Sequence, residues 1–153
     1  MKLYLIRHAK AEYPKEMLDI DRSLSEQGRV QAEKLANFLS NKTLPTDVWC
    51  SASQRTIETL TYIEKKHSFL LKKKMNELYL CTKDYFLKEL WSGNQKGDLL
   101  IVGHNFGISD LVNYFTGELL LMDTAEYICI DFGELNLNES SKGTGTIVDR
   151  FIP

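Results

Sequence analysis

The sequence lacks the residues and runs that mark several classes of protein. Its 153 residues include only three cysteines, Cys50, Cys81 and Cys129, which form neither a Cys-x-x-Cys motif nor a metal-ligand spacing. No apolar run approaches the roughly 20 residues of a membrane-spanning helix. The formal net charge of -2 gives no sign of a nucleic-acid partner. Because charge follows only four apolar residues after Lys2, no signal peptide is predicted, and we expect a cytoplasmic protein.

Apolar runs and helical periodicity alternate along most of the chain. Short strands are predicted at about 3–6, 47–50, 69–72 and 98–102, and helices at about 25–41, 53–66, 83–92 and 103–117. The run Lys72-Lys73-Lys74 is interpreted as a solvated turn. The last two apolar runs, 127–132 and 146–151, are typical of an antiparallel hairpin at a sheet edge. This order predicts a single α/β domain over residues 1–153, with a mainly parallel sheet.

Three predicted strand-to-helix turns carry groups that suit a phosphate. The carboxyl ends of parallel strands meet at one sheet edge, so two arginines and two histidines are expected to converge there. The planar donors of arginine match phosphate oxygens, and helix N-termini favour anions. The sequence therefore predicts a site for a dianionic tetrahedral group. Its residues are Arg7 and His8 in the first turn, Ser51 and Arg55 in the second, and Gly103, His104 and Asn105 in the third.

Each of these residues also has a purely structural interpretation. Taken alone, Arg55 is more typical of an ordinary first-turn helix residue, whereas for His104 a turn residue and a site residue are about equally expected. The Ser51 hydroxyl is predicted mainly to cap the second helix. The conjunction of all the groups is much less expected by chance than any one of them, which favours a shared pocket.

Five segments resemble the histidine phosphatase, or phosphoglycerate-mutase-like, superfamily, and most closely its small SixA-type phosphohistidine phosphatase branch. The segments are 5–9, 21–28, 51–56, 77–79 and 102–105. The resemblance implies a three-layer sandwich of the phosphoglycerate-mutase type, with helices on both faces of the central sheet. It also implies a phosphatase that needs neither metal nor cofactor and acts through a phosphohistidine intermediate.

The resemblance assigns roles to individual residues. His8 is expected to be the nucleophile. The residues expected to bind the phosphoryl oxygens are Arg7, Arg55, His104, Arg22 and Asn105. Glu77 falls where larger members carry a proton donor, and is expected to be either that catalytic donor or a residue of the rim. Ala9 departs from the glycine usual in the broad family and is interpreted as a mark of the small branch.

The expected chemistry starts from a neutral imidazole, whose ordinary pKa is about 6.5. Neighbouring guanidinium groups are expected to lower the pKa of His8, and a backbone carbonyl to hold its second ring nitrogen as N–H. A site without a proton donor would favour substrates with an N–P bond over phosphate esters, because imidazole is a better leaving group than an alkoxide. The expected partner is a phosphorylated protein, such as a histidine-containing phosphotransfer domain. The alternatives are a small phosphorylated substrate, a mutase and a non-catalytic phosphate-binding protein.

Overall fold

The computed structural model describes residues 1–153. Six strands of the chain form one sheet. The strands are β1 (Lys2–Arg7), β2 (Asp47–Ser51), β3 (Leu71–Met75), β4 (Leu99–Gly103), β5 (Tyr127–Asp131) and β6 (Thr146–Phe151). Their order across the sheet is β3-β2-β4-β1-β5-β6. The pairs among β1 to β4 are parallel, whereas β5 is antiparallel to both β1 and β6. The predicted parallel sheet with an antiparallel hairpin at its edge is confirmed.

The helices are α1 (Glu26–Leu39), α2 (Gln54–Glu64), α3 (Lys83–Trp91) and α4 (Gly107–Thr116). Short 3-10 helices occupy Asp19–Asp21, Asn76–Leu78 and Leu137–Glu139. None of the helices combines the length and apolar character that crossing a bilayer requires.

The central strands are apolar on both faces because helices cover both. Successive side chains of a strand point to opposite faces. Leu3 and Leu5 of β1 therefore pack in the core that contains residues of α3 and α4. Tyr4 and Ile6 pack in the second core, with residues of α1 and α2. Burial on both faces is typical of parallel sheets and produces the expected three-layer sandwich.

Serine hydroxyls cap the N-termini of α1 and α2, the helices that follow β1 and β2 in the chain. Ser25 accepts a hydrogen bond from the backbone N–H of Gly28 at 3.0 Å, at the start of α1. Ser53 accepts one from the N–H of Thr56 at 3.4 Å, at the start of α2. The prediction that Ser51 caps α2 is wrong, since Ser51 is the last residue of β2 and is fully buried.

The lysine run at 72–74 lies in edge strand β3 and not in a turn, which corrects the sequence interpretation. β3 begins two residues later than predicted, and its residues 71–74 are exposed. An edge strand whose side chains meet solvent needs no apolar face. Lysines on such a strand discourage its unpaired backbone from pairing with other chains. The predicted strand 69–72 therefore overlaps β3 only at residues 71–72, and the lysines added no strand signal.

Candidate active site

The carboxyl ends of β1, β2 and β4 lead to one pocket of about 480 Å³. The predicted convergence of distant residues is present, since the pocket receives side chains from each of these turns. Six of the predicted site residues line it: Arg7, His8, Arg22, Arg55, His104 and Asn105.

His8 follows β1 directly and is fixed by its backbone. Its N–H donates to the carbonyl of Gly103 at 3.1 Å, and its carbonyl accepts from the N–H of Ala125 at 3.1 Å. The ring Nδ1 donates to the carbonyl of Ala9 at 2.8 Å. Because a carbonyl can only accept, Nδ1 carries the proton and Nε2 is unprotonated, with its lone pair able to accept. Arg55 Nε donates to that Nε2 at 3.3 Å.

Burial is the main reason why the His8 ring is neutral. Loss of solvent lowers the pKa of His8 to about 4, the bond to the Ala9 carbonyl opposes this, and the charges of Arg55 and Arg7 lower it further. The expected direction is present, but the guanidinium groups rank behind burial as its cause. At physiological pH the ring therefore holds an unprotonated, nucleophilic nitrogen.

The guanidinium groups of the two arginines are held by hydrogen bonds to the protein, Arg7 through one nitrogen and Arg55 through all three. Arg7 donates from Nη1 to the carbonyl of Met122 at 2.7 Å. Arg55, only 3% exposed, donates from Nη1 to the carbonyl of Asp19 at 2.5 Å and from Nη2 to the carboxylate of the same residue at 2.9 Å. These bonds orient both planar groups in the pocket wall and leave further N–H groups for an anion.

His104 follows β4 and faces His8, with the two ring centroids 5.0 Å apart. The ring is 2% exposed, and burial lowers the pKa of His104 to about 3, so it is neutral. The Ser51 hydroxyl lies 2.8 Å from Nε2. When that hydroxyl donates to Nε2, the ring proton lies on Nδ1. The ring of Tyr79 packs edge-on against His104, at a centroid distance of 5.5 Å.

Two buried side-chain polar atoms in the protein have no hydrogen-bond partner, and both belong to this pocket. They are Arg7 Nε and His104 Nδ1. An unpaired buried donor costs about 1–3 kcal/mol, so such groups are rare away from binding sites. Beside the neutral His8 ring, these two nitrogens suit a bound oxyanion.

Arg22 and Asn105 reach the pocket but are largely engaged with the protein. Arg22 donates from Nε to the carbonyl of Glu12 at 2.5 Å and forms an ion pair with Asp19 at 2.6 Å. The Asn105 amide donates to the carbonyl of Met122 at 2.8 Å. Both residues therefore brace the loops around the pocket as well as lining it.

Glu77 does not line the pocket. It lies on the short helix Asn76–Leu78 and is exposed. Its neighbour Leu78 is fully buried and anchors this helix in the core, which leaves Glu77 on the solvent side. The structure does not bring Glu77 to the residues that it was predicted to assist.

Asp19 is the important pocket residue that sequence reasoning missed. Its carboxylate contacts Arg22 and Arg55, and accepts a hydrogen bond from the hydroxyl of Tyr79. The Tyr79 hydroxyl, Arg22 and Arg55 together hold the pKa of Asp19 far below its usual range, against the opposing effect of burial. It is the one carboxylate that lines the pocket. The available signal was its position three residues before Arg22 in a charged loop.

Sequence comparison shows the family of this chain. The histidine phosphatase superfamily (branch 1) profile matches residues 3–79, and the chain belongs to that superfamily. This membership confirms the expected class of enzyme, a histidine-type phosphatase. None of the proteins of curated function matches the sequence.

The fold is similar to those of several solved phosphatases. A candidate phosphohistidine phosphatase SixA from Agrobacterium tumefaciens shares 20% identity over 99% of this chain and 97% of its own, with a TM-score of 0.86. The protein histidine phosphatase SixA complexed with tungstate shares 20% identity over 98% and 96%, with a TM-score of 0.81. A mycobacterial glucosyl-3-phosphoglycerate phosphatase shares 15% identity over 96% of both chains, with a TM-score of 0.68. The expected phosphoglycerate-mutase-like fold is confirmed.

Proposed function

We propose that this protein is a phosphohistidine phosphatase that acts on a protein side chain through a phosphorylated His8. The observation that carries the proposal is the neutral His8 ring with an unprotonated Nε2, beside the unpartnered nitrogens of Arg7 and His104. A nucleophile and oxyanion donors in one pocket are the parts that phosphoryl transfer needs. The proposed roles of Arg7, Arg55 and His104 are to bind the phosphoryl oxygens.

In the first step, the hydrogen bond from Arg55 Nε to His8 Nε2 breaks, and the lone pair of Nε2 attacks the phosphorus of the substrate. The bond from phosphorus to the leaving imidazole nitrogen breaks, and that nitrogen keeps the electron pair and takes a proton from solvent. The phosphoryl group is now on His8. Catalysis is mainly positioning and stabilisation of the charge on the oxygens, which Arg7, Arg55 and His104 can supply.

In the second step, a water molecule attacks the phosphorus from the side that the leaving group has vacated. The bond between phosphorus and Nε2 breaks, inorganic phosphate leaves, and the proton of the water passes to solvent or to the phosphate. His8 returns to its neutral form. Dividing one displacement into two is ordinary covalent catalysis.

The pocket favours a leaving group that needs little help from an acid. Its one carboxylate, Asp19, is held ionised by Tyr79 and two arginines, and Glu77 lies outside. An ionised carboxylate cannot donate a proton. This supports a substrate with an N–P bond over an unactivated phosphate ester.

Apolar side chains at the mouth of the pocket support a protein substrate. Tyr13 and Leu80 line the pocket yet are 81% and 53% exposed. Exposed apolar side chains beside a charged centre suit contact with the surface of another protein. A phosphotransfer domain that presents a phosphohistidine on its surface would fit this description.

The test compares the rates of three substrates: a phosphohistidine-bearing phosphotransfer domain, a phosphoserine peptide and an aryl phosphate. We expect the fastest turnover with phosphohistidine, unchanged by a chelator and abolished in His8→Ala. The matched control is His67→Ala, since His67 lies outside the pocket and contacts the Leu39 carbonyl. Equal or faster turnover of phosphoserine would contradict the proposal and favour a general phosphomonoesterase. An inactive wild type would favour the non-catalytic alternative.

A further inference from the structure

We infer that Asp19 is an internal anion that competes with the phosphoryl group for Arg55 and Arg22, and so sets how tightly the site holds phosphate. The inference rests on the proposed function, because it assumes that this pocket binds a phosphoryl group. It assigns control of phosphate affinity to a residue outside the predicted set.

The contacts of Asp19 resemble those that a bound oxyanion would make. Its Oδ1 lies 2.6 Å from Arg22 Nη1, and its Oδ2 lies 2.9 Å from Arg55 Nη2. Oδ2 also accepts a hydrogen bond from the hydroxyl of Tyr79. Both oxygens of the carboxylate are therefore bound, and two of their three partners are cationic groups that line the pocket.

Asp19 is better placed than Arg55 to move out of the pocket, because its side chain is the more exposed of the two. The Arg55 side chain is 3% exposed, whereas that of Asp19 is 45% exposed, at the start of a short helix that follows the exposed residues 12–18. A phosphoryl dianion that approaches Arg55 meets this carboxylate at close range, where like charges repel each other. Phosphate binding must therefore either displace the carboxylate or lose affinity through this repulsion.

Orientation of Arg55 does not depend on the Asp19 carboxylate alone. The guanidinium also donates to the backbone carbonyl of Asp19 at 2.5 Å and to Nε2 of His8 at 3.3 Å. Both contacts survive when the carboxylate becomes an amide. Asp19→Asn thus removes the competing charge while the arginine keeps its other anchors.

The experiment is calorimetric titration of inorganic phosphate into the wild type, Asp19→Asn and Asp21→Asn, at one pH and ionic strength. We expect phosphate affinity to rise about two- to fivefold in Asp19→Asn, the range for loss of one partly exposed charge. Asp21→Asn is the matched control, because Asp21 lies on the same short helix and does not line the pocket. Its phosphate affinity should equal that of the wild type.

A second variant keeps the test decisive if Asp19→Asn unfolds. Tyr79→Phe removes the hydroxyl that holds Asp19, and should raise phosphate affinity by a smaller factor. Unchanged or weaker phosphate binding in the folded variants would overturn the inference and make Asp19 a positioning residue. Because titration requires no turnover, this result is separate from the proposed function, which fails instead if the wild type does not hydrolyse phosphohistidine.

Discussion

The Ser51 hydroxyl is predicted to hold His104 in its productive position and tautomer. Ser51→Ala removes the group that lies 2.8 Å from Nε2 of His104, where the serine is fully buried and the histidine 2% exposed. A buried nitrogen left without its partner costs about 1–3 kcal/mol of stability. For a chain of this size each kcal/mol lowers Tm by about 2–4 °C. We also expect kcat/KM to fall about tenfold, corresponding to about 1.4 kcal/mol of lost stabilisation.

Another hydroxyl cannot simply replace the lost one. Ser53 Oγ lies 3.5 Å from the same nitrogen, which is too long for a strong hydrogen bond. The matched control is Ser25→Ala, which removes the cap of α1 and should cost about 1 kcal/mol of stability. Ser25 makes no contact with His104, so kcat/KM should stay near the wild-type value.

The assays are thermal unfolding and steady-state hydrolysis of a phosphohistidine substrate by the wild type and both variants. The reasoning requires both variants to lose stability but only Ser51→Ala to lose kcat/KM. Full activity in Ser51→Ala would refute a positioning role for the hydroxyl. An equal loss of activity in Ser25→Ala would show that lower stability of the fold, and not loss of the contact with His104, explains the effect.

Two further predictions concern stability. Burial lowers the pKa of His8 to about 4 and that of His104 to about 3, so below pH 6.5 the unfolded chain binds more protons than the folded protein. The free energy of unfolding should fall from about pH 6.5 towards pH 4, by up to about 1.4 kcal/mol per pH unit for each ring, and denaturant titration should show a smaller dependence in His8→Asn; an identical dependence would contradict this. A Cβ on Gly28 would lie 1.9 Å from the carbonyl oxygen of Lys10, so Gly28→Ala should cost about 1–3 kcal/mol. Gly97→Ala meets no atom within 4 Å and should cost much less, and equal losses would refute the steric explanation.

The parts of the fold that were predicted correctly are those in which one physical signal is strong. β4 is buried along its whole length and was visible as a continuous apolar run. The α4 residues Ile108, Leu111, Val112 and Phe115 are buried on one side at helical spacing. The lysines of β3 carry no such signal. Edge position and pairing with β2 determine that strand, and local periodicity indicates neither.

The convergence of the candidate site was predictable from topology, but its fine structure was not. Parallel strands bring Arg7, His8 and His104 to one edge, whatever their separation in the chain. Whether a hydroxyl caps a helix or contacts an imidazole depends on a shift of two residues between Ser51 and Ser53. Asp19 joins the pocket only because its loop folds back over Arg55, which no periodic pattern indicates.

The most direct test of the account is to trap the phosphorylated enzyme during turnover. The wild type is mixed with phosphohistidine substrate, quenched in alkaline denaturant within the first turnovers, and its peptides are analysed by mass spectrometry. The account predicts a phosphoryl group on the peptide that contains His8, and none in His8→Ala. A wild type that turns over with the phosphoryl group on another residue, or on none, would contradict it.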